Sequence, residues 1–139
     1  MMTIYSTQAT AIGGRAGSVS TIDGSLLIAF AKSECLGGQG GVGTNPEQLF
    51  AAAHSASFLE ALRLAAGKEG IPLAADCNVT AKVSLVMEDN ESCRLAVVLA
   101  PDLPWLDCLE AERLLRSAAL RCPYTLALQG SASLRIEPL

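Results

Sequence analysis

The stretch Gly43-Thr44-Asn45-Pro46-Glu47-Gln48-Leu49-Phe50-Ala51-Ala52-Ala53-His54-Ser55-Ala56-Ser57-Phe58 decides the reading of this chain. It opens as a helix start. Thr44 or Asn45 supplies a side-chain oxygen for the free N–H groups of a first turn. Pro46 suits the first helical position, where a missing N–H costs nothing, and Glu47 lies at the positive end of the helix dipole. The apolar run that follows predicts a helix over 46–66, closed by Gly67.

Outward from that helix the chain reads as small hairpins. Thr3 to Ile12 and Arg15 to Thr21 alternate as strands around a Gly13-Gly14 turn. Asp23-Gly24 is a hairpin signal leading into a strand over Ser25 to Ala31. Leu36 to Gly43 is a loop containing five glycines. Beyond Pro72, Cys77 to Met87 and Cys93 to Ala100 alternate as strands joined by the polar turn 88–91. Pro101 and Pro104 break the chain, and Leu106 to Arg121 is a second helix that Pro123 stops or kinks. Leu106, Leu109, Leu114 and Leu120 are among its apolar positions, and 131–136 forms a last strand. The order β-β-β-α-β-β-α-β is α+β, built from hairpins without repeating βαβ units, in one domain spanning 1–139.

Composition bounds the function. Half of the 139 residues are hydrophobic, yet only 4% are aromatic, so the core is built from small side chains. A short apolar chain with such a core completes itself against a second copy, and a homodimer is expected. The net charge of −4 comes from interspersed acids and bases, with no basic run that would suit nucleic acid. The N-terminus lacks the pattern of a signal peptide, and no apolar run reaches the roughly 18 residues of a membrane span. Five cysteines (35, 77, 93, 108 and 122) form no CxxC pair, which argues against a disulfide framework or zinc ribbon and for a reducing cytoplasm.

Several residues carry potential chemistry. Glu47 and Ser57 are separated by ten residues of helix, about 15 Å along its axis, so they cannot touch, but an arginine from elsewhere could lie between them. Arg15, flanked by Gly13-Gly14 and Gly17, is the candidate; otherwise it is a solvated strand residue and Glu47 a helix-dipole partner. Pro123 disfavours helical geometry at Cys122 and would expose its thiol at a helix break, whereas a lone cysteine is otherwise a small buried hydrophobe. His54, the only histidine, has no second ligand at metal spacing and reads as a packed polar residue. The Gly37–Gly43 loop lacks the Gly-Lys-Ser/Thr ending of a phosphate cradle. Cys35, Cys77, Cys93 and Cys108 read as structural.

Three of these segments together resemble the organic hydroperoxide resistance (Ohr) branch of the OsmC/Ohr family. They are Gly13-Gly14-Arg15, the glycine-rich loop running into Thr44-Asn45-Pro46-Glu47-Gln48-Leu49-Phe50, and Cys122-Pro123-Tyr124. The resemblance implies two intertwined subunits with antiparallel sheets around two central helices. It implies thiol-dependent reduction of organic, lipid-type hydroperoxides to alcohols in oxidative-stress defence. A dithiol or lipoylated protein serves as reductant, with no metal or bound cofactor. It also implies roles: Arg15, held by Glu47, stabilises a thiolate and orients the peroxide; the residue at position 57 is the peroxidatic cysteine; Cys122 resolves its sulfenic acid as a disulfide.

The chain departs from this pattern at Ser57. A thiol of pKa about 8.5 is readily tuned to thiolate by a fixed guanidinium, but a serine hydroxyl is a poor nucleophile toward an O–O bond and has no sulfenic form. A designed replacement, a paralogue without turnover, and take-over by another cysteine are all compatible with Ser57. So is the plain role of a small residue at a helix contact, and so is a non-catalytic protein that binds or senses apolar ligands in the same pocket. His54 stands where the family commonly has tyrosine, and Leu126 to Gly130 departs from the family's continuation.

Overall fold

The computed structural model describes residues 1–88, 92–130 and 133–139. The sequence turn over 88–91 and the start of the last strand at 131–132 therefore fall largely outside the described residues. The described part forms two compact units, Met1–Leu49 and Phe50–Leu139.

The first unit holds an antiparallel three-stranded meander, β1 (Ala9–Ile12), β2 (Ser18–Thr21) and β3 (Leu27–Ala29), in the order β1-β2-β3. The strands are shorter than the alternation suggests. Residues before Ala9 lie outside β1, and Arg15 sits in a 3-10 turn (Gly14–Ala16) instead of a strand. The cause is the glycine pattern. Gly13 and Gly14 take left-handed φ of 74° and 57°, and a Cβ on Gly17 would lie 1.8 Å from the Ile12 carbonyl oxygen. The turn at Asp23-Gly24 is present as expected: the Asp23 carboxylate accepts from the Ser25 N–H (3.1 Å) and hydroxyl (2.8 Å), and Gly24 is left-handed. The glycine-rich loop folds back on the strand it leaves, with Ala31 N donating to Thr44 O at 2.9 Å. A Cβ on Gly38 would meet the Lys32 carbonyl oxygen at 2.1 Å, so close backbone approach accounts for this glycine.

Helix α1 (Pro46–Glu69) begins at the expected place. Asn45 Oδ1 accepts from Gln48 N at 2.8 Å, and Thr44 Oγ1 donates to Gln48 Oε1 at 2.5 Å. It does not stop at Gly67. The helix passes through that glycine and ends at left-handed Gly70, where Ile71 N donates back to Ala66 O at 2.9 Å. This is a Schellman closure, and it outweighs the roughly 1 kcal/mol a mid-helix glycine costs.

In the second unit β4 (Val79–Met87) and β5 (Cys93–Pro101) pair antiparallel over their full length, from Val79 opposite Pro101 to Met87 opposite Cys93. The last strand, β6 (Ser133–Ile136), adds to β5 in parallel. Hairpins alone therefore do not describe this sheet, because a parallel neighbour needs a crossover. Two helices supply it: α2 (Cys108–Ala119) and α3 (Pro123–Leu128). Asp107 caps α2 so that it starts two residues later than the apolar run suggests, its Oδ1 accepting from Leu109 N and Glu110 N at 2.9 Å each. Pro123 neither kinks nor merely stops α2. It occupies the first turn of α3, an element absent from the sequence reading.

The core of this unit joins Phe58, Leu62 and Ala65 of α1, Val97 and Leu99 of β5, and Leu114, Leu115 and Ala118 of α2. Leu109 and Leu120, counted as apolar positions of the second helix, are exposed instead. They lie off the Ala111, Leu114, Leu115 and Ala118 stripe that faces the core. Among the described residues no helix is long and apolar enough to cross a membrane.

Removing the α2 cap tests this account of the helix start. Asp107→Ala is expected to lower stability by about 1 kcal/mol, seen as a lower urea midpoint with an unchanged slope. An unchanged midpoint would show that the cap contributes nothing.

Candidate functional site

Arg15 stands on the tight Gly13–Gly17 turn, and its guanidinium meets the Glu47 carboxylate as a fork. Nη1 lies 2.7 Å from Oε2 and Nη2 lies 2.5 Å from Oε1. The two side chains are 36% and 17% exposed. Hydrogen bonding from Arg15 holds the Glu47 carboxyl below its ordinary 4.5. A depressed carboxylate pKa stabilises the fold above that ordinary value, and the contribution is lost as pH falls through the folded one. The planar fork fixes the orientation of the arginine as well as its charge.

Within the second unit, Ser57 of α1 and Cys122 face one another, Oγ to Sγ, at 3.6 Å. Ser57 is half-buried and Cys122 is fully buried. The sequence expectation that Pro123 would expose this thiol is therefore corrected. Cys122 does leave helical geometry, at φ −75° and ψ 115°, but as the N-cap of α3 it turns into the core beside α2.

One helical turn away lies a second polar contact. His54 Nε2 and Thr125 Oγ1 are 3.1 Å apart, both side chains buried. The ring packs edge-on to Phe50 at 5.8 Å and is stacked with Tyr124 at 5.9 Å. His54 is thus a packed polar residue. Burial lowers its pKa from the ordinary 6.5, and its Nδ1 has no hydrogen-bond partner among the described residues. Thr125 was not singled out from the sequence, and Phe50 and Tyr124 entered only as members of longer motifs. The i, i+3 spacing of Cys122 and Thr125 was the available signal, hidden because α3 was not foreseen.

The remaining cysteines divide by environment. Cys35, Cys93 and Cys108 are exposed, so they are not core residues, and Cys35 lies 3.0 Å from the Ser33 hydroxyl. Cys77 is buried, and desolvation raises its thiol pKa, which disfavours thiolate. Among the described residues no cluster of His, Cys, Asp and Glu could hold a metal. An apolar cavity of about 400 Å³ lies between Leu103, Leu106, Ala111, Leu115, Ile136 and Leu139, and its lining includes neither Ser57 nor Cys122.

The α+β fold and the sequence together place the chain in a known class of protein. The chain belongs to the OsmC-like family, whose model matches residues 37–137. It is 34% identical to the organic hydroperoxide resistance protein OhrB of Bacillus subtilis, covering 98% of both chains. A crystal structure of an organic hydroperoxide resistance protein from Legionella pneumophila superposes with a TM-score of 0.90 at 39% identity, covering 99% of this chain and 98% of that one. A putative organic hydroperoxide resistance protein from Vibrio cholerae, with captopril bound in one of its active sites, gives a TM-score of 0.90 at 36% identity, covering 99% and 94%.

Buried neutral His54 makes a pH prediction. Below 6.5 the unfolded chain takes up a proton that the folded chain resists, so stability is complete above 6.5 and declines as pH falls below it. The slope is at most about 1.4 kcal/mol per pH unit. Urea midpoints at several pH values should show this slope in the chain and its absence in His54→Gln. Equal slopes would mean that the imidazole charges freely in the folded state.

Proposed function

We propose that this chain carries the site of a thiol-dependent organic hydroperoxide reductase in which Ser57 occupies the place of the peroxidatic cysteine, so that turnover is impaired or absent. The 3.6 Å approach of Ser57 Oγ to Cys122 Sγ carries the reading, because it is the juxtaposition that a peroxidatic and resolving pair requires. Its relatives named for organic hydroperoxide resistance support the substrate class and the link to oxidative-stress defence.

With a thiolate at position 57 the chemistry balances simply. Sulfur attacks the distal peroxide oxygen, the O–O bond breaks, and the leaving alkoxide takes up a proton from solvent, giving the alcohol and a sulfenic acid. The Cys122 thiol then displaces water and forms a disulfide, which a dithiol or lipoyl reductant reopens by exchange. Arg15, oriented by Glu47, serves to stabilise the thiolate and to orient the peroxide. Ser57 can bind a peroxide by hydrogen bonding but cannot accept its oxygen, and no bound metal or cofactor enters the scheme. The physiological assembly in this reading is a cytoplasmic homodimer.

Ser57 itself favours one second reading: a non-catalytic protein that binds or senses an apolar, fatty-acid-like ligand on the same scaffold. One experiment separates the two. Consumption of cumene hydroperoxide with dihydrolipoamide is measured for the chain and for Ser57→Cys. The variant is expected to be faster by about 100-fold or more, reflecting restoration of the nucleophile. If neither protein turns over, the peroxidase reading fails and the binding reading takes its place. Family-typical rates in the unsubstituted chain would overturn the assignment of Ser57 as the disabled position.

A further inference from the structure

His54 and Thr125 have no part in the peroxide chemistry above, yet they lie beside it in a regular way. On α1, His54 and Ser57 are three residues apart, and Thr125 of α3 is three residues after Cys122, the N-cap of that helix. The α1 spacing places its two side chains on one helix face, separated by about 4.5 Å of axial rise. The pairs connect crosswise in sequence: His54 with Thr125 at 3.1 Å, Ser57 with Cys122 at 3.6 Å. As position 54 advances to 57, its partner steps back from 125 to 122. The two contacts are successive rungs between α1 and the start of α3.

The two rungs differ in character. The contact between Ser57 and Cys122 is a long, weak one between a hydroxyl and a thiol. That between His54 and Thr125 is short, and both side chains are buried. Phe50 and Tyr124 pack against the imidazole, so the ring's place on α1 is set before it meets Thr125. The other ring nitrogen, Nδ1, has no hydrogen-bond partner among the described residues. α3 is only six residues long and has no side-chain cap of its own. The Cys122 N–H ties its start to α2, donating to Ala118 O at 3.0 Å, and the side chains of Cys122 and Thr125 reach α1.

We propose that His54 and Thr125 are positioning residues that fix α3 along α1, so that Cys122 Sγ is held against the side chain at position 57. The inference rests on the proposed peroxidatic and resolving roles of those two positions, and it adds residues that touch neither peroxide nor sulfur. Its physical content is preorganisation. Two thiols held face to face form a disulfide with a higher effective concentration than two thiols on helices free to slide.

The test uses the full-length chain with Ser57→Cys. Its disulfide is equilibrated against reduced and oxidised dithiothreitol, acid-quenched, and quantified by mass spectrometry. The same measurement is made after adding Thr125→Val, which removes the hydroxyl at constant branching, Thr125→Ser, which retains it, and His54→Gln or His54→Phe. Thermal unfolding of the reduced proteins provides a separate reading of fold stability. Thr125→Val and His54→Phe are expected to lower the disulfide equilibrium constant about tenfold, equivalent to about 30 mV for a two-electron couple. Thr125→Ser should stay within about twofold of the parent, which loss of general packing at position 125 would not give.

If Ser57→Cys forms the disulfide and Thr125→Val and His54→Phe leave its equilibrium constant unchanged, the positioning roles are overturned while the peroxidase reading stands. If Thr125→Ser falls as far as Thr125→Val, the hydroxyl is not the tether and the proposal fails. If Ser57→Cys forms no disulfide at all, the resolving role of Cys122 fails first, and the positioning roles fail with it.

Discussion

The unbroken helix from Pro46 to Glu69 is the constraint on which the rest depends. In the second unit Cys122 and Thr125 meet it through Ser57 and His54, and the spacing of its side chains sets what can meet. Asn45 fixes where it begins, and the Gly70 closure fixes where it ends. Between those points the rise of about 1.5 Å per residue is a ruler. It presents Glu47 in the first turn, then His54, Ser57 and Phe58, with no residue free to shift independently of the others. A one-residue change of register would rotate Ser57 by about 100° away from Cys122.

Polar groups in this protein are tied down pairwise. Arg15 forks onto Glu47, and His54 bonds Thr125. Each pair spends a strong local interaction on orientation more than on net stability, since a partly exposed ion pair contributes little by itself. What orientation provides is a small set of side chains presented in fixed directions. In the function proposed above, position 57 holds the nucleophile; a serine hydroxyl there keeps its hydrogen bonding but has no sulfenic form.

Much of this architecture was legible in the sequence because local signals are strong where backbone chemistry is special. The Asn45-Pro46 start, the Asp23-Gly24 turn and the alternation of 79–87 and 93–101 each follow from propensities that act within a few residues. Where the reading failed, two local signals competed or a distant contact won. Gly67 resembled a helix end, but the residues after it favoured closure at Gly70. Arg15 continued an alternating pattern, but Gly17 lies too close to Ile12 for a simple strand. Pro123 resembled a terminator because a proline that ends one helix and a proline that begins the next look the same from sequence.

The sequence by itself determined the family and the α+β class, because the motifs around Arg15, Glu47, Ser57 and Cys122 are short and their wording is specific. Only the tertiary structure decided that Cys122 is buried, that the last strand runs parallel to its neighbour, and that His54 finds Thr125. The reason is sequence separation. A contact across 71 residues, such as that between His54 and Thr125, is set by how helices pack. No pattern within a window of a few turns encodes that packing.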